Sequence, residues 1–102
     1  MTQYRVLLSD EAWSDLDKLL LAIAVDYKSP LTAQRYIAVV WDKILELQSF
    51  ASFIALYPHK GLQQRYGHSL RRINYKKIAI LYTLENSNTA LIRRIIPGSI
   101  IA

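Results

Sequence analysis

Hydrophobic residues recur along this chain with two different periods, and the change of period separates a helical first half from an extended last third. Residues 4–8 form a short β-like run. Ser9 then offers a side-chain cap for a helix, and Asp10 and Glu11 suit the positive end of the helix dipole. The apolar residues that follow keep helical spacing and predict a first helix from residue 10 to residue 26 or 27; they are Ala12, Trp13, Leu16, Leu19, Leu20, Ile23, Ala24 and Tyr27.

A second helix is predicted after a short link. Ser29 can cap it, and Pro30 suits its first position. Its apolar face consists of Ala33, Tyr36, Ile37, Val40, Trp41, Ile44 and Leu47. Two adjacent amphipathic helices with a short link form an antiparallel hairpin. Trp13 and Trp41 lie on the apolar stripes of this hairpin, so we expect both in the core.

The last third of the chain has the composition and the period of strands. The predicted strands are residues 69–74, 78–84 and 89–96, joined by turns at residues 75–77 and 86–88. Asn86 and Asn88 favour the second turn, because asparagine tolerates a positive φ and its side chain can mimic a turn. Pro97 and Gly98 end the last strand. These signals predict three consecutive strands in a meander.

The stretch between helices and strands is less regular. Residues 49–58 suit either a short third helix or an apolar loop closed by Pro58. Residues 59–68 contain Gly61 and Gly67 and have no periodicity, so we interpret them as a polar connection on the surface.

The element order β-α-α-β-β-β predicts an α+β fold in a single domain over residues 1–102. We expect a small antiparallel sheet with the helical hairpin packed on one face and the other face partly free. The first strand must join this sheet, because an isolated strand would leave its backbone hydrogen-bonding groups unpaired.

Composition excludes several classes of protein. The chain has no cysteine, which excludes disulfides, thiolate chemistry and cysteine metal sites. The longest apolar run, residues 19–25, is too short to span a membrane, and residues 1–13 lack the apolar core of a signal peptide. His59 and His68 have no acidic neighbours that would complete a metal site. We therefore expect a cytoplasmic protein with no membrane partner, no metal and no cofactor.

Charge is distributed unevenly. Residues 1–56 carry five basic residues against seven acidic ones, a net charge of −2. Residues 57–102 carry eight basic residues against Glu85 alone, a net charge of +7. This division indicates an acidic partner, either nucleic acid or an acidic protein segment.

The predicted strands hold the candidate functional residues. Adjacent residues of a strand point to opposite faces, so each arginine pair places one guanidinium near each face of the sheet. The candidate face for activity or partner binding comprises Arg71, Arg72, Tyr75, Lys76, Lys77, Tyr82, Arg93 and Arg94. Tyr82 shares a strand face with Ile80 and Leu84, so burial is its default role. Asp15, Asp17 and Asp42 are interpreted as solvated helix surface.

Four segments in this order resemble the RelE/ParE superfamily of bacterial toxins from type II toxin–antitoxin modules. Residues 4–19 are similar to the family's opening strand and helix start, with Ala12, Asp15 and Leu16 in the matching places. The second helix is similar in its apolar ending, Ile44 to Leu47. The predicted hairpin and closing strand match at Arg71, Arg72, Ile73, Ile80, Leu81, Tyr82, Ile92, Arg94, Ile95, Ile96 and Gly98.

The resemblance implies two modes of action. RelE-like members are endoribonucleases that cut messenger RNA on the ribosome, whereas ParE-like members inhibit DNA gyrase without being enzymes. This chain departs from the RelE-like pattern at three places: Ala79 replaces a strand arginine, Ser99 and Ile100 stand where a cation is usual, and no Tyr or His follows Gly98. The resemblance therefore favours the ParE-like mode, with no catalytic residue assigned.

A ParE-like toxin implies growth inhibition through gyrase, a role in plasmid stabilisation and neutralisation by a cognate acidic antitoxin. Either a homodimer or a hetero-oligomer with the antitoxin fits the family. Two alternatives remain. The first is a ribosome-dependent endoribonuclease acting on mRNA through Arg71, Arg72, Lys76 or Arg94, and the second is a non-toxic basic module that binds nucleic acid.

Overall fold

The computed structural model describes residues 3–101 and confirms the predicted α+β fold. Its elements, in chain order, are β1 (Arg5–Leu8), α1 (Asp10–Tyr27), α2 (Pro30–Phe50), a 3₁₀ turn (Ala51–Phe53), α3 (Lys60–Tyr66), β2 (Arg71–Tyr75), β3 (Ile78–Glu85), β4 (Thr89–Pro97) and a second 3₁₀ turn (Gly98–Ile100). The helical hairpin and the three-strand meander therefore lie where the residue pattern predicted them.

Both long helices begin at their predicted caps. The Ser9 hydroxyl accepts a hydrogen bond from the backbone N–H of Ala12 at 3.2 Å, and the Ser29 hydroxyl accepts one from Thr32 at 3.2 Å. Each bond satisfies one of the backbone donors that a helix start leaves unpaired. The first helix ends at Lys28, whose φ of 49° turns the chain toward α2.

The sheet has the strand order β1-β4-β3-β2 and is mixed. The meander pairs are antiparallel, but β1 runs parallel to β4, with Leu8 opposite Ile92. The expectation of a purely antiparallel sheet is therefore wrong at this one pairing. A meander determines the directions of its own strands, whereas the direction of β1 depends on how the helical hairpin returns the chain to the sheet.

The main core lies between the helical hairpin and one face of the sheet. Its fully buried residues include Val40 and Ile44 from α2 and Ile80, Tyr82 and Ile92 from the central strands. Trp13 departs from the prediction, because it is 49% exposed at the outer margin of the hairpin. Its ring packs against that of Trp41, with 5.5 Å between the centroids.

The second face of the sheet is covered by α3, which the residue pattern did not predict. Leu62 and Tyr66 of this helix pack against a small buried cluster of Leu70, Leu81 and Ile96. His59 caps the helix, since its Nδ1 accepts a hydrogen bond from the N–H of Leu62 at 3.1 Å. The interpretation of residues 59–68 as a polar connection on the surface therefore missed this helix, although none of its residues is fully buried. A histidine cap, an early glycine and only seven residues provide little periodic signal.

The ambiguous segment before α3 combines the two alternatives, a short 3₁₀ helix at Ala51–Phe53 and a non-helical stretch after it. The second helix continues to Phe50, the 3₁₀ turn follows, and Leu56 then makes an isolated antiparallel bridge with Arg71 at the margin of β2. No helix within residues 3–101 is long and apolar enough to cross a membrane.

Candidate functional site

The eight candidate residues do not form one surface. Arg71 and Arg72 point apart, as strand alternation predicts. The prediction is wrong for the second pair, because a β-bulge leaves Arg93 without a partner between the positions opposite Leu81 and Tyr82, so that Arg93 and Arg94 both lie beside Tyr66 of α3. The residues therefore divide into a group on β4 that pairs with acids, a group on β2 and its hairpin, and the buried Tyr82.

Arg94 makes a bidentate ion pair with Asp15 of α1. Its Nε donates to Asp15 Oδ2 at 2.7 Å, and its Nη2 donates to Oδ1 at 3.1 Å. The backbone N–H of Ile95 donates to the same Oδ2 at 2.9 Å. The hydrogen bond with Asp15 is the main cause of the raised pKa of Arg94, which keeps its positive charge. Arg94 thus holds the first helix to the last strand.

Asp15 is only 7% exposed, so its interpretation as solvated helix surface is wrong. An ionised carboxylate can occupy a buried position when charged and neutral donors satisfy its oxygens, and here three N–H groups do so. The helical spacing already placed Asp15 beside buried Leu16. Its match to the family pattern was the one signal that could have marked it as structural.

A half-exposed carboxylate extends this network toward α3. Glu11 Oε2 accepts a hydrogen bond from Arg65 Nη2 at 3.2 Å and lies 3.5 Å from Arg94 Nη1. Exposed ion pairs of this kind stabilise a fold by less than about 1 kcal/mol. Glu11 therefore forms ion pairs with both Arg65 and Arg94.

Arg93, the other arginine of the pair on β4, is also neutralised. Its Nε donates to Thr83 Oγ1 at 3.0 Å, and its Nη2 forms an ion pair with Glu85. Its guanidinium also lies 5.9 Å from the ring centroid of Tyr66. Both arginines of β4 therefore form ion pairs with acidic residues of the same chain.

Arg72 reaches the face covered by α3 and meets neutral groups there. Its Nε donates to Asn74 Oδ1 at 2.8 Å, and its Nη1 donates to the Tyr57 hydroxyl at 3.0 Å. Gly98 leaves room for this guanidinium, because a Cβ at Gly98 would lie 2.8 Å from Arg72 Nη2. Arg71 points the other way and donates to the carbonyls of Ile54 and Ser69 at 2.8 and 3.0 Å.

The hairpin between β2 and β3 carries the remaining candidates. The rings of Tyr75 and Tyr36 lie 5.2 Å apart, and Lys76 Nζ lies 5.5 and 5.6 Å from the centroids of Tyr36 and Tyr75. Burial is the main cause of the raised pKa of Tyr36, and the neighbouring Tyr75 adds to it. Lys76 and Lys77 are exposed at the turn.

Tyr82 is fully buried and therefore cannot meet a partner in this conformation. Its hydroxyl donates to the backbone carbonyl of Ala51 at 2.7 Å, which ties β3 to the end of α2. Burial raises the pKa of Tyr82 to about 12, against an ordinary value of 10.0. Among the eight candidates it is the one whose role in the core is visible directly.

This pKa predicts a loss of stability at alkaline pH. The folded state holds the phenolic proton more tightly than the unfolded state, so the stabilisation is complete below pH 10 and is lost as pH rises toward 12. A shift of this size corresponds to roughly 2–3 kcal/mol. Urea unfolding between pH 9 and about pH 11.5 should show the loss. Tyr82→Phe should flatten this pH dependence, whereas Tyr27→Phe at an exposed site should leave it as in the parent chain. Equal slopes for Tyr82→Phe and the parent would contradict the assignment.

Within residues 3–101 no group of three or more His, Asp or Glu side chains could hold a metal ion.

An apolar cleft of 310 Å³ lies between α1 and the end of β4, with Ile78 and Ile95 among its lining residues and Asp15, Lys18 and Arg94 as its charged ones. Ile100 lines the same cleft and is mostly exposed.

Comparison with known proteins supports the fold. The chain matches no protein-family model and no curated protein. Among solved structures it is similar to a chain of the chromosomal ParDE TA system from P. aeruginosa, with a TM-score of 0.76 and 16% sequence identity. The match covers 93% of this chain and 96% of that chain. The ParE/RelE-like fold implied by the sequence motifs is therefore confirmed. A sequence identity of 16% supports a shared fold and nothing further.

Proposed function

We propose that this chain is the toxin of a type II toxin–antitoxin pair, acts on DNA gyrase in the ParE-like manner, and is neutralised by a cognate antitoxin. The observation that carries the proposal is the likeness to a chain of a ParDE system over 93% of the molecule. The four sequence motifs support it independently, because they occur in the order that the family shares.

The charge arrangement supports the gyrase mode over RNA cleavage. A ribonuclease of this fold needs unpaired cations where charge develops on the scissile phosphate. In this chain Ala79 is the second residue of β3 and is fully buried between Asn74 and Ile96 on the neighbouring strands. Arg93 and Arg94 are paired with acids. Neither β3 nor β4 therefore offers an unpaired cation for phosphate chemistry.

The apolar cleft beside α1 supports the presence of a protein partner. Its lining is mainly aliphatic, and Ile100 at its margin is 64% exposed. An exposed apolar groove of this kind suits the apolar face of a partner helix. The antitoxin would supply such a helix, and the basic last third of the chain would favour one with acidic character.

Expression of the chain alone in a bacterium is expected to stop growth, because no antitoxin is present to bind and neutralise it. The purified chain should inhibit plasmid supercoiling by DNA gyrase. The proposal also expects a short acidic reading frame next to the gene, whose co-expression should restore growth. The control is the same expression with Ile44→Asp, which places a charge in the core and should abolish both effects.

Normal growth at confirmed soluble expression of the folded chain would contradict the toxin proposal. Growth arrest with unaffected gyrase would contradict only the target. Toe-printing of messenger RNA on translating ribosomes would then test the endoribonuclease alternative, which predicts new primer-extension stops at defined codons.

A further inference from the structure

Residues 58–68 leave the sheet as an excursion whose two ends are joined. The N–H of Tyr57 donates to the carbonyl of Leu70 at 2.9 Å, and Leu56 forms the adjoining bridge with Arg71. Within residues 3–101, the backbone–backbone hydrogen bonds of residues 58–68 all end inside residues 57–70. A compact loop of this kind can move without breaking the hydrogen bonds of the sheet.

The helix in this segment, α3, is attached to the rest of the fold by a few side chains. None of its seven residues is buried, and a helix of this length is not stable by itself in water. Leu62 and Tyr66 pack on the small buried cluster beneath it. The ion pair of Arg65 with Glu11, at 3.2 Å, joins side chains that are 61% and 49% exposed, so it stabilises the closed position only weakly.

Packing beneath the segment is incomplete. A cleft of 230 Å³ is lined by His59 and Leu62 from the segment and by Ile96, Ile100 and Ile101 from β4 and the residues after it. Side chains around such a space lack contacts on one side, so the attraction that holds α3 to the sheet is smaller than at a filled interface.

Gly67 provides a hinge between α3 and the return to β2. Its φ of 112° lies in a region that residues with a Cβ rarely adopt. In the described part of the chain, no atom outside its chain neighbours would lie within 4 Å of a Cβ at this position. The backbone can therefore change direction at Gly67 without a collision.

The sheet face beneath α3 is apolar at its centre and cationic at its margin. Leu81 is fully buried there, whereas its neighbour Ile80 is buried in the main core on the opposite face. The ring of Tyr66 lies 5.9 Å from the guanidinium of Arg93, and Tyr66 also hydrogen-bonds with Arg94. Movement of α3 away from the sheet would expose an apolar surface rimmed by arginines, which suits contact with another protein.

We propose that residues 58–68 form a lid that opens as a unit about Gly67 and the joined base at Tyr57 and Leu70. The closed lid withdraws the Leu81 face of the sheet from partners, and the open lid presents it to the target. Opening does not depend on the toxin assignment, whereas its effect on activity rests on the proposed function. Moving lids are drawn from the least stable parts of a fold, and α3 has the few buried contacts that characterise such a part.

A single introduced thiol can report the opening of one place, because the chain has no cysteine. Leu81→Cys and Ile80→Cys form a matched pair, since both positions are fully buried and adjacent on β3 but lie on opposite faces. A thiol reagent should modify Leu81→Cys at least about 100-fold faster, because that thiol needs only the lid to open and the other needs global unfolding. Urea unfolding of each variant corrects the rates for differences in stability. Equal corrected rates would overturn the proposal.

The exposed ion pair offers a second test of the same opening. Arg65→Ala should raise the rate at Leu81→Cys about threefold and leave that at Ile80→Cys unchanged, because it removes the contact with Glu11. Lys60→Ala is the matched control on α3, since Lys60 is exposed and forms no ion pair within residues 3–101, and it should change neither rate. An equal rise at both thiols with Arg65→Ala would mean that α3 leaves the sheet only when the whole chain unfolds.

A covalent lock tests the effect on activity. The double variant Glu11→Cys, Arg65→Cys, joined by a short bismaleimide, holds α3 closed, and the same thiols capped singly with N-ethylmaleimide leave it free. Circular dichroism should show that both forms are folded. The cross-linked form should lose most of its inhibition of supercoiling by DNA gyrase, and the capped form should keep it. Equal inhibition by the two forms would overturn the assignment of the closed lid as inactive. If the parent chain itself leaves gyrase unaffected, the proposed function fails, and the thiol rates still decide whether the lid opens.

Discussion

Replacing Asp15 with alanine is expected to lower the free energy of unfolding by about 3 kcal/mol, within the range of about 3–5 kcal/mol found when one partner of a buried ion pair is removed. The change leaves the Arg94 guanidinium without its bidentate partner and the N–H of Ile95 without an acceptor. The lower end of the range applies because the side chain of Arg94 keeps 26% exposure to water. Urea unfolding followed by circular dichroism would measure the loss.

Asp17 offers a matched control two residues further along α1. It is exposed and forms no ion pair within residues 3–101, so Asp17→Ala should change the stability by no more than about 0.5 kcal/mol. A double-mutant cycle of Asp15→Ala with Arg94→Ala should give a coupling well above the error of the method. Equal stabilities of the Asp15 and Asp17 variants would show that the buried carboxylate does not hold α1 to β4.

Ile44→Ala should lower the free energy of unfolding by about 2–5 kcal/mol, because it empties a fully buried position between α2 and the sheet. The neighbouring Leu45 is 47% exposed, and Leu45→Ala should cost less than about 1 kcal/mol. Midpoints of urea unfolding for the two variants measure the difference. A similar loss at both positions would mean that the predicted stripe of α2 is not the buried one.

The partition of charge is the feature that most changes the functional interpretation. Sequence alone shows six cations and one acid along the last three strands and their turns, and it does not show which of the cations have an acidic partner. In the fold, Asp15 comes from α1 to pair with Arg94, and Glu85 pairs with Arg93. Stabilisation of the fold therefore uses the β4 cations, whereas the cations of β2 and its turn have no acidic partner within residues 3–101.

Most secondary structure could be predicted because its causes are local. Ser9 and Ser29 satisfy the first N–H groups of the helices within three residues, and each amphipathic stripe repeats over several turns. The asparagine turn before β4 is equally local, with Asn86 at a φ of 56°. The short helix α3 was missed because it depends on Leu62 and Tyr66 meeting a sheet face that exists only after folding.

The sequence by itself determined the helical hairpin, the strand meander and the α+β class, since periodicity and caps act between near neighbours. Only the tertiary structure decided that β1 runs parallel to β4, that Asp15 is buried, and which arginines keep an unpaired charge. The pairing of β1 with β4 and the contacts of Asp15 join residues about 80 positions apart along the chain, as Asp15 and Ile95 are. Such contacts depend on how the elements pack, and no pattern within a single segment records them.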